Sequence, residues 1–228
     1  MKQATQNGVT LVTGAAGALG SCVARMLSAA GYEVCGIDLS PIPSGTGIHS
    51  RSGIDLSSYE ATRDAIAGIS NQYGQISNIV NIAGGFAWET IGEGAVETWQ
   101  KMWTLNLQTA LNVSKAGLEN LKSARGCLVN IGAAAALRAD LGMGAYAASK
   151  AAVERLTQSL AKELRPVGAR ANAILPSIID TPANRAAMPD ADWNDWIPPQ
   201  DIAELVGFLL SDSARCINGA SIPITRGA

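Results

Sequence analysis

Val9-Thr10-Leu11-Val12-Thr13-Gly14-Ala15-Ala16-Gly17-Ala18-Leu19-Gly20 is the stretch that decides the fold. Its first five residues are β-prone and apolar, and the glycine-rich remainder leads into Ser21 to Ala30, where Cys22, Val23, Met26 and Leu27 fall at helical spacing. Strand, glycine turn and helix in that order form the phosphate-binding unit of a doubly wound α/β sheet. The glycines permit a tight turn and close backbone approach, and the helix N-terminus attracts an anion. A second strand, Glu33-Val34-Cys35-Gly36-Ile37, ends in Asp38, roughly twenty residues past the turn. An acid there can accept hydrogen bonds from the adenosine ribose hydroxyls and repel a 2′-phosphate. The pattern therefore predicts a dinucleotide site that prefers NAD(H) over NADP(H).

Further along, strand-like and helix-like segments alternate to the end, as parallel βαβ units do. Ser40 to Ser50 reads as a loop rich in Pro, Ser and Gly, and a third short strand is expected to end near Ile54-Asp55. A helix is expected from about Ser58 to Tyr73, then a buried strand from Ser77 to Ile82 running into Ala83-Gly84-Gly85. One long helix is predicted over Ala95 to Leu121, followed by the strand Cys127 to Ile131. A helix reaching Leu164, a strand at Ala169 to Leu175, a helix at Ile202 to Leu210 and a last strand at Ala220 to Thr225 complete the pattern. With no internal repeat or long linker, the 228 residues are expected to form one domain over 1–228, a doubly wound parallel sheet of about seven strands with helices on both faces.

The composition excludes several classes of function. A net charge of −2 provides no basic field for nucleic acid, and no apolar run is long enough to span a bilayer. Cys22, Cys35, Cys127 and Cys216 stand singly in apolar surroundings, without a Cys-x-x-Cys pair. That usage fits a reduced, cytoplasmic protein with no metal site. His49 is the only histidine and is read as a surface-loop residue, which removes histidine-based triads. The expected partner is a small-molecule substrate.

The chemistry is concentrated in Tyr146-Ala147-Ala148-Ser149-Lys150. An i,i+4 spacing puts Tyr146 and Lys150 on one helix face. A free tyrosine keeps its proton to a pH of about 10, and a neighbouring ammonium is expected to lower that value and make an acid/base of it. Thirteen residues upstream, where a serine that polarises the substrate oxygen would be useful, stands Ala133.

Taken together these residues resemble the short-chain dehydrogenase/reductase family over nearly the whole chain. The resemblance is carried by Thr13-Gly14-Ala15-Ala16-Gly17-Ala18-Leu19-Gly20, by Asn81-Ile82-Ala83-Gly84 and by Tyr146 and Lys150. It extends to Trp103-Thr104-Leu105-Asn106-Leu107, to the run Asn172 to Pro182, to Asp201-Ile202-Ala203 and to Asn218-Gly219-Ala220. It implies that Asp55 contacts adenine and that Asn106 holds a water beside the lysine. Gly14, Ala16, Gly17, Ala18, Leu19, Gly20, Asp38, Asn81, Ala83, Gly84, Tyr146, Lys150, Pro176, Ile179 and Thr181 would contact the cofactor. Tyr146, Lys150 and Asn106 would be catalytic, and family members commonly pair the long helix and the Tyr146 helix with a partner, so a homodimer or homotetramer is implied. Ala18 departs from the family's usual glycine.

Within the family the closest pattern is that of dihydropteridine reductase-like members. It rests on Gly17-Ala18-Leu19-Gly20, on Ala83-Gly84-Gly85-Phe86, on alanine at 133 and on the loop from Asp180 to Trp193. This resemblance implies reduction of a quinonoid dihydropteridine-like or other cyclic substrate, with Ala133, Phe86 and Trp193 around it. A carbonyl or alcohol oxidoreductase on an ordinary ketone, and a weakly catalytic dinucleotide-binding sensor, stand as alternatives. Trp99 and Trp103 are expected to pack in the core or against a partner, and Trp193 to stack on a flat ring or to pack within a lid.

Overall fold

Strand β1 (Val9–Thr13) lies inside the sheet, hydrogen-bonded on one side to β2 (Glu33–Asp38) and on the other to β4 (Ile76–Asn81). The strand order therefore reverses at β1, and a crevice opens there above the C-terminal strand ends. The computed structural model describes residues 8–43 and 47–226, and residues 44–46 of the expected Ser40–Ser50 loop lie outside the described residues. With β3 (His49–Ser52), β5 (Cys127–Ile131), β6 (Arg170–Pro176) and β7 (Ser221–Ile224), the sheet has seven strands in the order β3-β2-β1-β4-β5-β6-β7, every pair parallel.

The central strands are buried along nearly their whole length because both faces are covered. Val12, Val80 and Val129 face helices α1 (Ala18–Ala29) and α8 (Pro199–Leu210), meeting Val23, Leu27, Val206 and Leu209. Leu11, Ile79 and Leu128 point the other way. There they meet α2 (Tyr59–Tyr73), α4 (Thr109–Ala116), α5 (Leu118–Ala124) and α6 (Gly144–Leu164) through Ile66, Val113, Leu121 and Leu164. This is the period-two alternation of a strand met by helical stripes on either side. Each Leu or Ile so enclosed stabilises the fold by about 1.5–3 kcal/mol. At the start of α2, the Ser58 hydroxyl accepts from Ala61 N at 3.3 Å, a cap that contributes about 1 kcal/mol.

Three sequence expectations need correction. The predicted helix over Ala95–Leu121 is α3 (Val96–Met102), a π-helical turn at Trp103–Gln108 and α4, and it breaks at Gly117 before α5. A Cβ at Gly117 would lie 2.4 Å from Ile79 Cδ1 on the sheet beneath, so a larger residue there would have to displace that side chain. The third strand ends at Ser52, not near Asp55, because Gly53 turns the chain with φ +77°. His49 belongs to that strand and not to a loop. Its ring stacks on Tyr73 at 3.9 Å, and Nε2 lies 3.3 Å from Glu33. Cys216 is exposed, unlike the other three cysteines.

Candidate active site

The glycine turn is built by steric exclusion. Gly14 has φ +67°, a backbone region that favours glycine, and a Cβ on Gly20 would stand 2.0 Å from Gly14 O. Gly17 N donates to Gly14 O at 3.0 Å, closing the loop onto α1. Ala18 is the first residue of that helix, where alanine is a favourable choice and glycine is not needed. The N-cap Gly17 makes no side-chain capping bond and the first turn holds no acidic residue. The positive end of α1 is thus left open to an anion, and the cradle fits a pyrophosphate. Thr13 fixes the turn from below, its Oγ1 accepting from Ile82 N at 3.0 Å and Ala83 N at 3.1 Å. Only the contact across β1 and β4 reveals this fastening.

A cleft of about 580 Å³ runs over the turn. Gly14, Ala16, Gly17, Ala18, Leu19 and Gly20 line it, and Asp38 and Asp55 reach its far end. Ala83, Gly84 and Thr181 line the rest, with Thr104, Leu105 and Thr109 of the helical segment. No lysine or arginine is among the lining residues. Asp38 is held in place by Ala16 N at 3.0 Å and Ser40 N at 2.8 Å. Asp55 accepts from Ser57 N at 2.9 Å and from its hydroxyl at 2.7 Å.

Tyr146 and Lys150 stand on the first turns of α6, with Lys150 Nζ 5.9 Å from the Tyr146 ring centroid. Lys150 is 6% exposed, and its ammonium donates to Ile131 O at 3.0 Å, at the end of β5. Burial disfavours the charge and draws its pKa down to about 8. The expected lowering at Tyr146 is not found. Burial pushes the phenol up to about 12 by disfavouring the phenolate. Phe86 meets the Tyr146 ring edge-on, with centroids 5.0 Å apart and an interplanar angle of 80°. Ala133 is buried just past β5, at the start of the short turn Ala134–Ala136.

Asn106 sits within the π-helical turn and is almost fully buried. Its Oδ1 accepts from Gly85 N at 2.9 Å, and its Nδ2 donates to Gly85 O at 3.1 Å and to Ser149 Oγ at 2.9 Å. The side-chain amide is thereby fixed by protein atoms, with one lone pair of Oδ1 still open. Ser149 completes the set by donating to Tyr146 O at 2.7 Å. No spacing rule points to that serine in advance. Gly84 is as constrained as the turn glycines, since a Cβ there would meet Asn106 Oδ1 at 2.5 Å and Lys150 Nζ at 3.5 Å.

Other expected contacts lie elsewhere. Asn81 points into the sheet interior, not the cleft, where Nδ2 donates to Asn130 Oδ1 at 2.9 Å. Pro176 is the last residue of β6 and is buried against β7. Ile179 forms a bridge with Ile197, whereas Thr181 does line the cleft and also caps α7 (Pro182–Ala187) by accepting from Asn184 N at 3.2 Å. Trp193 lines a second cavity, of about 540 Å³, and not the dinucleotide cleft. The Arg185 guanidinium covers its ring at 4.4 Å while pairing with Asp180 at 2.6 and 2.7 Å. Trp99 and Trp103, expected in the core or against a partner, are about half exposed.

A family model described as enoyl-(acyl carrier protein) reductase matches residues 14–228. Meso-2,3-butanediol dehydrogenase of Serratia marcescens is 28% identical, the match covering 97% of this chain and 94% of that one. The 3-oxoacyl-[acyl-carrier-protein] reductase of Pseudomonas aeruginosa is 31% identical, with 97% of each chain covered. Among solved structures, ligand-free aldohexose dehydrogenase of Thermoplasma acidophilum superposes with a TM-score of 0.88 at 27% identity, over 95% of this chain and 92% of that one. A match that starts at the first glycine of the turn and ends at the last residue, on a shared seven-stranded parallel sheet, makes the chain an oxidoreductase of the short-chain dehydrogenase/reductase family.

Proposed function

We propose that the chain uses NADH to reduce a flat cyclic substrate, quinonoid dihydropteridine-like in its chemistry, with Tyr146 as the proton donor. The observation that carries this reading is the convergence of Tyr146, Lys150 and the Gly84–Phe86 loop beside the glycine-lined cleft. Bound NADH supplies the hydride. Tyr146, pushed up to about 12, keeps its proton at neutral pH and can deliver it to a substrate oxygen or nitrogen. Lys150, near 8, can hold or release a proton close to working pH and can resupply the phenol. Asn106 and Ser149 fix the Gly85 backbone and the Tyr146 turn relative to each other. Phe86 offers an aromatic wall against Tyr146, and Ala133 leaves space where a hydroxyl would otherwise stand.

The preference for NADH over NADPH is supported by the Asp38 carboxylate and by the lack of lysine or arginine in the cleft lining. Among the described residues no helix is long and apolar enough to cross a membrane. The half-exposed indoles of Trp99 and Trp103, with exposed Val96, support burial against a second copy in a homodimer or homotetramer. The test is a screen of quinonoid pterins, quinones and carbonyl compounds with NADH and NADPH in parallel. Tyr146→Phe should abolish the turnover found while NADH still binds. Undiminished turnover in that variant would remove Tyr146 from the chemistry.

A second reading, oxidation of an alcohol or diol to a ketone, is favoured by the likeness to a 2,3-butanediol dehydrogenase. Ala133→Ser separates the two. Turnover of simple ketones should rise steeply if the pocket already seats a ketone, because a positioned hydroxyl can contribute a few kcal/mol at the developing oxyanion.

A further inference from the structure

We infer that Asn112 and Gln108 are positioning residues for the adenosine end of the dinucleotide, acting through the Ile54–Ser57 wall of the cleft. The inference rests on the reading of that cleft as the NAD(H) site. Ile54, Asp55, Leu56 and Ser57 all line the cleft, yet they lie beyond β3 and belong to no strand. Their shape is set from behind. Asn112, on α4 and buried, donates through Nδ2 to Leu56 O at 2.9 Å and to Ser57 O at 3.0 Å. Gln108, the last residue of the π-helical turn, donates to the same Ser57 O at 2.7 Å. Thr62 of α2 adds a weaker contact to Leu56 O at 3.3 Å. None of these three side chains lines the cleft.

Ile54 N ties the start of the loop to Asp38 O of β2 at 3.1 Å, while Ser57 N is spent locally on the Asp55 carboxylate and Ser58 N on Asp55 O. Beyond that first tie, the Leu56 and Ser57 carbonyls are the handles by which the helix holds it. A loop ordered in advance does not have to be ordered by the ligand, so whatever rests against this wall binds more tightly. The grip is confined to one end of the cleft. Asn106, two residues before Gln108, serves the other end by clamping Gly85 beside Lys150. Loosening Asn112 or Gln108 should weaken the adenosine half of the dinucleotide and leave the nicotinamide half alone.

The two halves can be titrated separately with AMP and nicotinamide mononucleotide, followed by saturation-transfer NMR. Asn112→Asp turns a donor into a carboxylate facing two carbonyl oxygens, and Gln108→Met keeps the side chain's length and removes its donor. AMP and NADH should each weaken about tenfold in Asn112→Asp, with nicotinamide mononucleotide moving by less than about twofold. Gln108→Met, at a partly exposed position, carries the same test if Asn112→Asp does not fold, with the same direction and a smaller loss. Equal weakening of both fragments would mean general loosening of the fold and would overturn the inference, as would unchanged AMP affinity. Wild-type protein that bound neither fragment nor NADH would overturn the reading of the cleft, and the inference with it.

Discussion

Replacing Lys150 with methionine should stabilise the protein while ending its turnover, and the gain should depend on pH in one direction. The ammonium of Lys150 is buried, and its pKa falls from 10.5 to about 8. The unfolded chain keeps that proton up to 10.5, the folded chain only to about 8, so between the two values the unfolded state binds more protons. Stability of the wild type therefore rises with pH across that window, and the full penalty is present below it. A shift of this size corresponds to about 3 kcal/mol. Methionine removes the penalty but leaves Ile131 O without its donor, which costs about 1 kcal/mol. Lys150→Met should thus be about 2 kcal/mol more stable than wild type at pH 7. The advantage should shrink from pH 8 upward and vanish near pH 10, where the remaining charge penalty no longer exceeds the cost of the lost hydrogen bond. Urea unfolding followed by tryptophan fluorescence, at steps from pH 6 to pH 10, measures the difference directly through the midpoint at constant slope. A difference independent of pH, or a wild type more stable at pH 7, would refute the assignment of a buried charge held at a cost.

Other perturbations give equally specific outcomes. Gly20→Ala places a Cβ 2.0 Å from Gly14 O and must displace the turn, so NADH affinity should fall by about tenfold to a hundredfold. A fluorescence titration with unchanged Kd would show that the turn does not hold the cofactor. Asp38→Ala removes the carboxylate that braces Ala16 N and Ser40 N, so NADH should weaken by about tenfold while NADPH improves. The ratio of kcat/KM for the two cofactors reads this out. Arg185→Met should release both Trp193 and Asp180 and speed proteolysis between residues 182 and 196. The Tm should barely move, because exposed pairs contribute about 0–1 kcal/mol.

Much of the architecture was legible because it follows local rules. The glycine turn, the alternation of strands and helices and the acid at the end of β2 each have a short-range cause. The boundaries of β5 coincide with the predicted ones, and α6 ends at the predicted Leu164. What stayed hidden depends on contacts distant in sequence. No periodicity distinguishes one long helix from α3, a π-helical turn and α4, because one extra residue in a turn leaves the apolar pattern nearly intact. Thr13 reads as a strand residue until Ile82 and Ala83 are seen donating to it. The Tyr146–Lys150 spacing was plain, but its electrostatics were not. Spacing reports a neighbouring charge and says nothing of the burial that sets both groups' proton affinities. Asn81 lay in a legible motif yet faces the sheet interior, since a strand residue's side is fixed by pairing with neighbours.

The π-helical turn also bears on how this chain can change over evolutionary time. Removing one residue between Trp103 and Gln108 would regularise the helix and rotate one half against the other by about 100°. Asn106 would then lose Gly85, or Gln108 and Asn112 would lose the Leu56 and Ser57 carbonyls. Substitutions along this helix can be accepted singly, but its length cannot drift. Descendants of this sequence should carry insertions and deletions in exposed segments such as Pro189–Asp192 and keep the spacing from Asn106 to Asn112 unchanged.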